Sequence, residues 1–442
     1  MPGALKTDLY ELNMAASYLR RDMTAPATFS LYVRNLPPNR GFLVAAGLEA
    51  CLDALEPFSF DEDELGYLRS IGFDEREVEA FREVRFDGEV WAVPEGRIVH
   101  AGEPIIEVTA PLPSAQLVET LLLNQVTLHT TLATKAARYR LAAPGKDLVD
   151  FAFRRTHGVE AAMAAARGSA IVGFAATSNV EAARRYGLTV AGTMAHSFIE
   201  AFPSESEAFR AFAEDHPERT TFLVDTYDTL NGVKNAIAVV KEMQLTGRIG
   251  VRLDSGDVDT LSRGARALLD EAGLTEARIF ASGGLDELEV DALVTNGAPV
   301  DAFGIGTQMG VSADAPFVDS VYKLTDLDGH PVLKLSAGKE TAPGRKQVWR
   351  GPDGDVLGLR EEPGPVHAEA LLEPVMRDGV RTVSAPSIPQ MRERFDADLV
   401  ALPATARRLR DATPIAVQPS DELEALTARA RDDAIRRAGL PR

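Results

Sequence analysis

Three residues able to move protons or hold anions stand just after apolar runs in the middle of the chain. His196 follows a Gly-Thr break in GTMAHS (192–197), where an imidazole could act as nucleophile or proton carrier. Arg252 and Asp254 lie two residues apart in RLDSGD (252–257), so they share one side of a predicted strand. Arg252 could hold a phosphate or carboxylate, and Asp254 could stabilise positive charge on a sugar or bind Mg²⁺ through water. Plainer interpretations stay open: a structural histidine, and a mutual salt bridge.

Two adjacent arginines and two phenylalanines form a second group, in DFAFRRTHG (150–158). Arg154 and Arg155 come just after a predicted strand, a position that suits recognition of a planar carboxylate or phosphate. A solvated arginine pair is about as plausible from adjacency alone. Phe151 and Phe153 share one strand face, where either could belong to the core or stack on a bound ring.

Short polar or glycine-rich segments close further apolar runs. In TSN, Thr177 or Ser178 is expected to cap a helix, and the free amides there could bind an anion, although capping alone is the favoured interpretation. DTYDT (225–229) supplies two more carboxylates. ASGG (281–284) and GIGT (304–307) are glycine turns where barrels commonly bind a phosphate at a helix start.

These groups share a position in a repeated unit. In each unit a short apolar run ends in the polar or glycine residues, and a helical stretch follows. The runs are DLVDFAF (147–153), AIVGFAA (170–176), TVAGTMA (189–195), TTFLVDT (220–226), IGVRLDS (249–255), ARIFASG (277–283) and AFGIGTQ (302–308). Continuous apolar strands alternating with helices predict a parallel sheet buried on both faces. If the sheet curls into a barrel, the groups meet on one rim, where barrel enzymes place their active sites. We find seven strands and no clean eighth.

The flanking regions predict different structure. Residues 1–145 indicate an α+β unit that ends in a long helix over 114–139. A hairpin is predicted to turn at Asp328-Gly329, 384–390 suggests a linker, and an exposed helical tail is expected from Ser420.

Composition limits the classes of function. The 442-residue chain carries 47 basic and 66 acidic residues, a net charge of −19 that argues against nucleic acid as a partner. An anionic substrate would therefore need a local basic site. Cys51 is the only cysteine, so no intrachain disulfide is possible. The N-terminus has no signal-peptide core, and no stretch approaches the roughly 20 apolar residues of a membrane span, so we expect a cytoplasmic protein without membrane contact.

The chemistry that these groups support is transfer involving a phosphorylated sugar. The sequence has no Ser-His-Asp arrangement with nucleophile-elbow spacing, no histidine-rich metal triad and no GxGxxG motif entering a helix. Cleavage at an anomeric carbon passes through an oxocarbenium-like state, which nearby carboxylates stabilise.

The combination of motifs resembles the nicotinate phosphoribosyltransferase family. The motifs are TDLYELNMA, DFAFRRTHG, ATSN, GTMAHSF, DTYDT, VRLDSGD, ASGG and GIGT, followed by the basic loop KETAPGRKQVWR (339–350). The resemblance implies synthesis of nicotinate mononucleotide and diphosphate from nicotinate and phosphoribosyl pyrophosphate, coupled to ATP hydrolysis with Mg²⁺. It also implies a homodimer with shared active sites.

The resemblance further implies an α/β fold: an incomplete, irregular parallel α/β barrel with an N-terminal α/β sandwich domain and a C-terminal extension. We accordingly predict a sandwich over 1–145, a catalytic barrel over 146–335, and an extension over 336–442. The extension is expected to pack partly on the N-terminal domain and to end in the helical tail.

Residue roles are also implied by position. His196 matches the family's transiently phosphorylated histidine. Phe151 matches the residue that stacks on the pyridine ring, and Tyr10 matches its partner on the other face, supplied by the second subunit. Arg154 and Thr193 match residues near nicotinate or the ribosyl donor.

Arg252 has the same implied place as Arg154 and Thr193, and Asp254 matches a ribose or diphosphate contact and a possible Mg²⁺ ligand. The implied phosphate-binding turns contain Ser282, Gly283, Gly284, Gly306 and Thr307. Ser178 is implied to favour the acid, because relatives that prefer nicotinamide carry an aspartate there. Ala152 and Ala176 depart from the usual glycines. Two alternatives remain: a nicotinamide- or quinolinate-using enzyme of the same fold, and a non-catalytic barrel that binds sugar phosphates.

Overall fold

The computed structural model describes residues 3–336, 341–352 and 354–439. Its α-helices are α1 (Leu9–Arg20), α2 (Leu48–Leu55), α3 (Glu62–Ser70), α4 (Glu75–Arg82), α5 (Leu112–Leu117), α6 (Glu119–Ala142), α7 (Val159–Ile171), α8 (Val180–Tyr186), α9 (His196–Glu200), α10 (Glu205–Asp215), α11 (Thr229–Glu242), α12 (Val258–Glu271), α13 (Glu287–Thr295), α14 (Thr307–Gly310), α15 (Ile388–Ala401) and α16 (Asp421–Arg437). One 3₁₀ turn spans Phe153–Arg155. Lys339 and Glu340, the first residues of the predicted basic loop, lie outside the described residues.

The β-strands are mostly short. They are β1 (Pro26–Val33), β2 (Leu43–Val44), β3 (Glu89–Ala92), β4 (Ile98–Val99), β5 (Pro104–Pro111), β6 (Asp147–Asp150), β7 (Ala176–Thr177), β8 (Arg219–Leu223), β9 (Arg248–Leu253), β10 (Arg278–Ala281), β11 (Ala302–Ile305), β12 (Ser320–Leu327), β13 (His330–Pro331), β14 (Lys346–Gly351), β15 (Gly354–Leu359), β16 (Glu369–Ala370), β17 (Glu373–Arg377), β18 (Val380–Arg381) and β19 (Gln418–Pro419).

The chain forms two compact units. The first contains residues 1–131 together with 317–442, and the second contains residues 132–316. The later segment joins the first unit because β12 pairs antiparallel with β1 over most of its length. The chain passes from the first unit to the second at Leu132 and returns to the first at Phe317. The domain boundaries expected after residues 145 and 335 stay predictions.

The first unit is built on a seven-stranded sheet in the order β13-β12-β1-β5-β3-β17-β18, with smaller sheets β16-β14-β15-β19 and β2-β4. Its core is apolar, and the rings of Phe29 and Tyr322 stack across β1 and β12 at 4.7 Å. One buried carboxylate, Glu107, is paired with Lys346 at 3.1 Å and with Arg360 at 2.5 Å. Two cations therefore compensate this buried negative charge.

The first unit contains the predicted hairpin and the predicted linker. The hairpin is confirmed: β12 and β13 meet at Asp328 and Gly329, whose φ angles of 54° and 75° fit a type I′ turn. The predicted linker 384–390 is shorter than expected. Ser387 and Gln390 form a capping box, and α15 begins at Ile388.

The second unit contains a six-stranded parallel sheet in the order β7-β6-β11-β10-β9-β8. Helices follow most of its strands, and the sheet is curled into a half barrel. The prediction of an incomplete parallel α/β barrel is therefore confirmed. All six strands run the same way, so their carboxyl ends lie at one edge of the sheet.

Two of the seven predicted runs form little or no strand, and others are shorter than predicted: Phe153 lies in the 3₁₀ turn, and Thr307 and Gln308 belong to α14. In AIVGFAA, Ala170 and Ile171 belong to α7, and only Ala176 continues into a strand. The alanine-rich run favours helix, and Gly173, with φ +101°, ends it. In TVAGTMA, Val190 makes a single bridge to Thr177 and no strand forms.

The tail after Ser420 is the helix α16, with the Ser420 side chain accepting a hydrogen bond from the Leu423 amide. It is not wholly exposed, since Leu423 and Ala430 are buried. Among the described residues, no helix has both the length and the apolar character needed to cross a membrane.

Candidate active site

Arg252 is the central charged group at the carboxyl edge of the parallel sheet. It lies near the end of β9 and is 8% exposed. Its Nε donates to Ser282 Oγ at 2.8 Å, and its Nη1 donates to Thr193 Oγ1 at 3.1 Å and to the Met194 carbonyl at 3.4 Å. Its Nη2 donates to Asp254 Oδ1 at 2.6 Å. A planar guanidinium held by four acceptors has one orientation, so Arg252 is fixed in place.

Asp254 shares this network. Burial alone would raise its pKa, but the hydrogen bond from Ser282 and the charge of Arg252 outweigh burial and hold the pKa below its usual value. Its backbone amide donates to Asp225 Oδ2 at 3.0 Å. Asp254 is therefore an ionised carboxylate at neutral pH, and the salt bridge considered from the sequence does form.

His196 is the first residue of α9 and its side chain is 40% exposed. Its Nδ1 lies 3.0 Å from Thr226 Oγ1, and its Nε2 lies 3.8 Å from Asp254 Oδ2. A structural histidine is normally buried and fully bonded. This imidazole instead lies beside the Arg252 network and is open to solvent, which suits a reactive group.

A cavity of about 490 Å³ opens on one side of Arg252, and we call it the aromatic cavity. Its lining residues are Phe151, Phe153, Arg154, Ser178, Gly192, Thr193, Met194 and Arg252. The Arg252 guanidinium lies 5.3 Å from the centre of the Phe151 ring. A Cβ on Gly304 would come 2.7 Å from that ring, so this glycine leaves the space that Phe151 occupies. The size and lining suit a small aromatic ligand with a polar substituent.

A second cavity of about 270 Å³ shares Phe151, Arg154 and Arg252 with the first, and we call it the glycine cavity. Its lining residues are Phe151, Arg154, Arg155, Arg252, Asp254, Ser282, Gly283, Gly284, Gly304, Gly306 and Thr307.

Two features make the glycine cavity suitable for an anion. Gly283 and Gly284 have φ angles of +105° and +86°, and their amides make no hydrogen bond within the described part of the chain. A Cβ at Gly283 would lie 1.9 Å from the Asp254 carbonyl, so the turn needs glycine there. Neither Arg154 nor Arg155 has an ion-pair partner among residues 3–336, 341–352 and 354–439. Open amides and uncompensated guanidiniums attract phosphate oxygens.

Of the two glycine turns, only GIGT leads directly into a helix as expected, since Gly306 immediately precedes α14, whereas ASGG does not. Helix α13 begins at Glu287, and the Asp286 carboxylate already accepts from the amides of Leu288 and Glu289. The amides left open belong to Gly283 and Gly284, ahead of the cap.

The expected cap in TSN was also wrong. Asn179, rather than Thr177 or Ser178, caps α8 by accepting from the Ala182 amide at 3.1 Å. Thr177 Oγ1 donates to the buried Asp150 carboxylate, and the Ser178 amide donates to the Asp150 carbonyl. The amides of Ser178 and Asn179 are thus already hydrogen-bonded. Ser178 lines the aromatic cavity.

Two of the acidic residues near the site have structural roles. Asp228 caps α11 and Asp257 caps α12, each accepting backbone amides of its helix. Only Asp225 contributes its carboxylate to the network around Asp254. Within the described residues, no three His, Cys, Asp or Glu side chains could together hold a metal ion.

The structure brings most of the predicted site residues together. All but two of them line one or both cavities; His196 lies beside Asp254, and Tyr10 lies in the other compact unit on α1, 47% exposed. Arg155 and Gly304 also line the glycine cavity. The family resemblance implied no role for either, although Arg155 belongs to the predicted arginine pair and Gly304 to the predicted turn GIGT.

The comparisons with known proteins agree with this geometry. Family models for the nicotinate phosphoribosyltransferase N-terminal domain, the nicotinate phosphoribosyltransferase family and the C-terminal domain match residues 5–127, 147–349 and 321–427. A nicotinate phosphoribosyltransferase of Mycobacterium tuberculosis is 46% identical over 97% of this chain and 94% of its own length. That of Bacillus subtilis is 43% identical over 81% of this chain and 76% of its own length.

Solved structures agree as well. The human nicotinic acid phosphoribosyltransferase superposes with a TM-score of 0.84 at 29% identity, covering 96% of this chain and 99% of that one. A nicotinate-nucleotide pyrophosphorylase from Pyrococcus furiosus gives a TM-score of 0.75 at 27% identity, covering 90% and 95%. By its sequence and its fold, this chain belongs to the nicotinate phosphoribosyltransferase family.

Proposed function

We propose that this protein transfers the phosphoribosyl group of phosphoribosyl pyrophosphate to nicotinate, giving nicotinate mononucleotide and diphosphate for NAD salvage. The observation that carries the proposal is the pair of adjoining cavities that share Phe151, Arg154 and Arg252. One suits an aromatic ring and the other suits phosphates. A reaction that joins a ring to a phosphorylated sugar needs both ligands side by side.

The aromatic cavity has the groups that recognise nicotinate. Phe151 offers a ring face for stacking. Arg154, which has no ion pair among the described residues, and the hydroxyl of Ser178 suit the carboxylate of the base. A neutral Ser178 leaves that carboxylate without a repelling charge, which favours the acid over the amide.

The glycine cavity stabilises the leaving group and the charge on the sugar. The nicotinate nitrogen forms a bond to the anomeric carbon while the bond from that carbon to the diphosphate oxygen breaks. The departing diphosphate gains negative charge, which Arg154, Arg155 and the open glycine amides stabilise. Asp254, held ionised, faces the same cavity and stabilises the positive charge that develops on the ribosyl ring.

Mg²⁺ fits this site through the substrate. No cage of three protein ligands exists among the described residues, and Mg²⁺ commonly binds through substrate phosphates, waters and one or two carboxylates. Asp254 is suited to hold it, since its Oδ2 is not used by Arg252 or Ser282. The ion would neutralise diphosphate charge.

ATP is the proposed co-substrate, and His196 is the proposed acceptor of its terminal phosphoryl group. The partly exposed imidazole is accessible, and Thr226 holds its Nδ1. The phosphorus–oxygen bond of ATP breaks as a nitrogen–phosphorus bond forms, and ADP leaves. Water later releases phosphate, which couples ATP hydrolysis to synthesis.

We further propose a homodimer whose active sites are shared. Leu9 and Tyr10, which are adjacent on α1, are 56% and 47% exposed and so available for contact with a second subunit. An aromatic residue in this position suits stacking on the base in a second subunit. Tyr10 would then close the aromatic cavity of its partner.

The proposal is tested by incubating the protein with phosphoribosyl pyrophosphate, Mg²⁺, ATP and one base at a time. Nicotinate should give nicotinate mononucleotide with release of ADP. Preference for nicotinamide or quinolinate would transfer the assignment to those alternatives. Sugar-phosphate binding without any nucleotide product would indicate a non-catalytic barrel.

Replacing His196 separates ATP hydrolysis from nucleotide synthesis. His196→Ala should abolish nicotinate-dependent ADP release, because no acceptor nitrogen remains, yet leave slow ATP-independent synthesis. Chromatography of ADP and nicotinate mononucleotide measures both. The exposed His330, on the β12–β13 hairpin, gives a matched control as His330→Ala. ATP hydrolysis that persists unchanged in His196→Ala would refute the phosphorylation.

A charge at Ser178 should reverse the choice of base. Ser178→Asp should lower kcat/KM for nicotinate about tenfold or more, since like charges repel, and raise relative use of nicotinamide. Ser178→Asn serves as the control, because asparagine has the same size as aspartate but carries no charge. Equal losses in both variants would show that volume, and not charge, is sensed at this position.

Mixed dimers test the shared site. Tyr10→Ala should raise KM for nicotinate, because the lost stacking weakens binding of the base by about 1 kcal/mol. Mixing Tyr10→Ala with Phe151→Ala subunits should restore about one intact site in each heterodimer, measured as recovered turnover. If mixing recovers nothing, Tyr10 does not act across a dimer.

A further inference from the structure

We propose that Lys135 and Asp314 are positioning residues for the glycine cavity, because the Lys135 ammonium joins the two loops that carry its glycine turns. The inference rests on the proposed function, in which this cavity holds phosphoribosyl pyrophosphate. None of these side chains lines the cavity itself. They act through the loops of Gly283-Gly284 and Gly306-Thr307.

Lys135 lies on α6 and is 2% exposed, one of the largest fully buried side chains of the protein. Its Nζ lies 2.5 Å from Glu287 Oε2 and 2.8 Å from Asp314 Oδ1. Lysine is almost never buried without partners, and here both partners are carboxylates. One ammonium therefore binds two carboxylates that follow different glycine turns: Glu287 is the first residue of α13, and Asp314 lies in the segment after α14.

The first loop is held at two points. Glu287 follows Gly284 by three residues, and its Oε1 also accepts from Arg138 Nε at 2.6 Å. The Tyr139 hydroxyl donates to the carbonyl of Leu285, next to Gly284, at 3.0 Å. Burial alone would raise the pKa of Glu287, but Lys135 and Arg138 lower it, so the carboxylate stays ionised.

The second loop transmits the position of Asp314 to Thr307. The Ala313 amide donates to the Gln308 carbonyl at 3.0 Å, and Ser312 Oγ donates to the Ala315 carbonyl at 2.6 Å. The segment after α14 is thus compact and bonded to its own helix. A displacement of Asp314 would move the beginning of α14 with it.

The sheet alone defines the spacing of these loops poorly. Strands β10 and β11, which lead into them, pair through only two residue pairs, Phe280 with Ala302 and Ala281 with Phe303. A diphosphate that contacts both turns depends on their separation, and small displacements of binding groups weaken binding strongly. The Lys135 bridge fixes that separation.

Asp314→Asn is the informative variant, because the Asp314 side chain is 41% exposed and Lys135 keeps its partner Glu287. It should weaken phosphoribosyl pyrophosphate binding about tenfold, while KM for nicotinate changes by less than about twofold. Calorimetry with phosphoribosyl pyrophosphate and Mg²⁺ measures the first, and steady-state kinetics the second. Lys135→Met should have a larger effect, and Lys135→Arg should recover part of it.

Asp270→Asn is the matched control, since it breaks the surface pair of Asp270 with Arg266 on α12, at 2.9 Å, with Asp270 50% exposed. It should bind phosphoribosyl pyrophosphate like the wild type. If Lys135→Met fails to fold, Asp314→Asn still decides.

Wild-type phosphoribosyl pyrophosphate affinity in Asp314→Asn would overturn the proposal, as would equal losses for both substrates together with a lowered melting temperature. A wild-type protein that binds phosphoribosyl pyrophosphate without converting nicotinate would contradict the proposed reaction alone. A wild type that does not bind it would overturn both.

Discussion

The burial of one guanidinium constrains the whole site. A charge as buried as Arg252 is stable only with partners, and its four hydrogen bonds draw together the end of β9, the segment at Thr193 and the end of β10. These segments are the walls of two cavities. Fixing one side chain therefore fixes where an aromatic ligand and an anionic ligand can meet.

Parallel strands supply the geometry around this residue. All six strands end at one edge, so each places its polar residues there although the barrel is not closed. Six strands therefore suffice to build the site. Glycine is needed where the walls come closest. Gly304 leaves room for the Phe151 ring, and Gly283 passes against the Asp254 carbonyl. The site is thus an arrangement of backbone as much as of side chains.

Local patterns in the sequence were sufficient where the physics is local. The spacing of Arg252 and Asp254 predicted a shared side of a strand, and Asp328-Gly329 predicted the turn observed. Competition between local signals produced errors: the alanine-rich run continued α7 through Ala170, and Asn179 capped α8 where Thr177 or Ser178 was expected. Partners distant in sequence could not be predicted at all, as with Lys135, whose carboxylates lie 152 and 179 residues further along.

The central claim is that the two cavities hold the base and the diphosphate of one reaction side by side. The most direct measurement is a crystal structure of the protein with both products, nicotinate mononucleotide and diphosphate. The account predicts the pyridine ring against Phe151 near Ser178, and the diphosphate among Arg154, Arg155 and Gly283. A ring bound away from Phe151, or a diphosphate bound away from the glycine cavity, would contradict it.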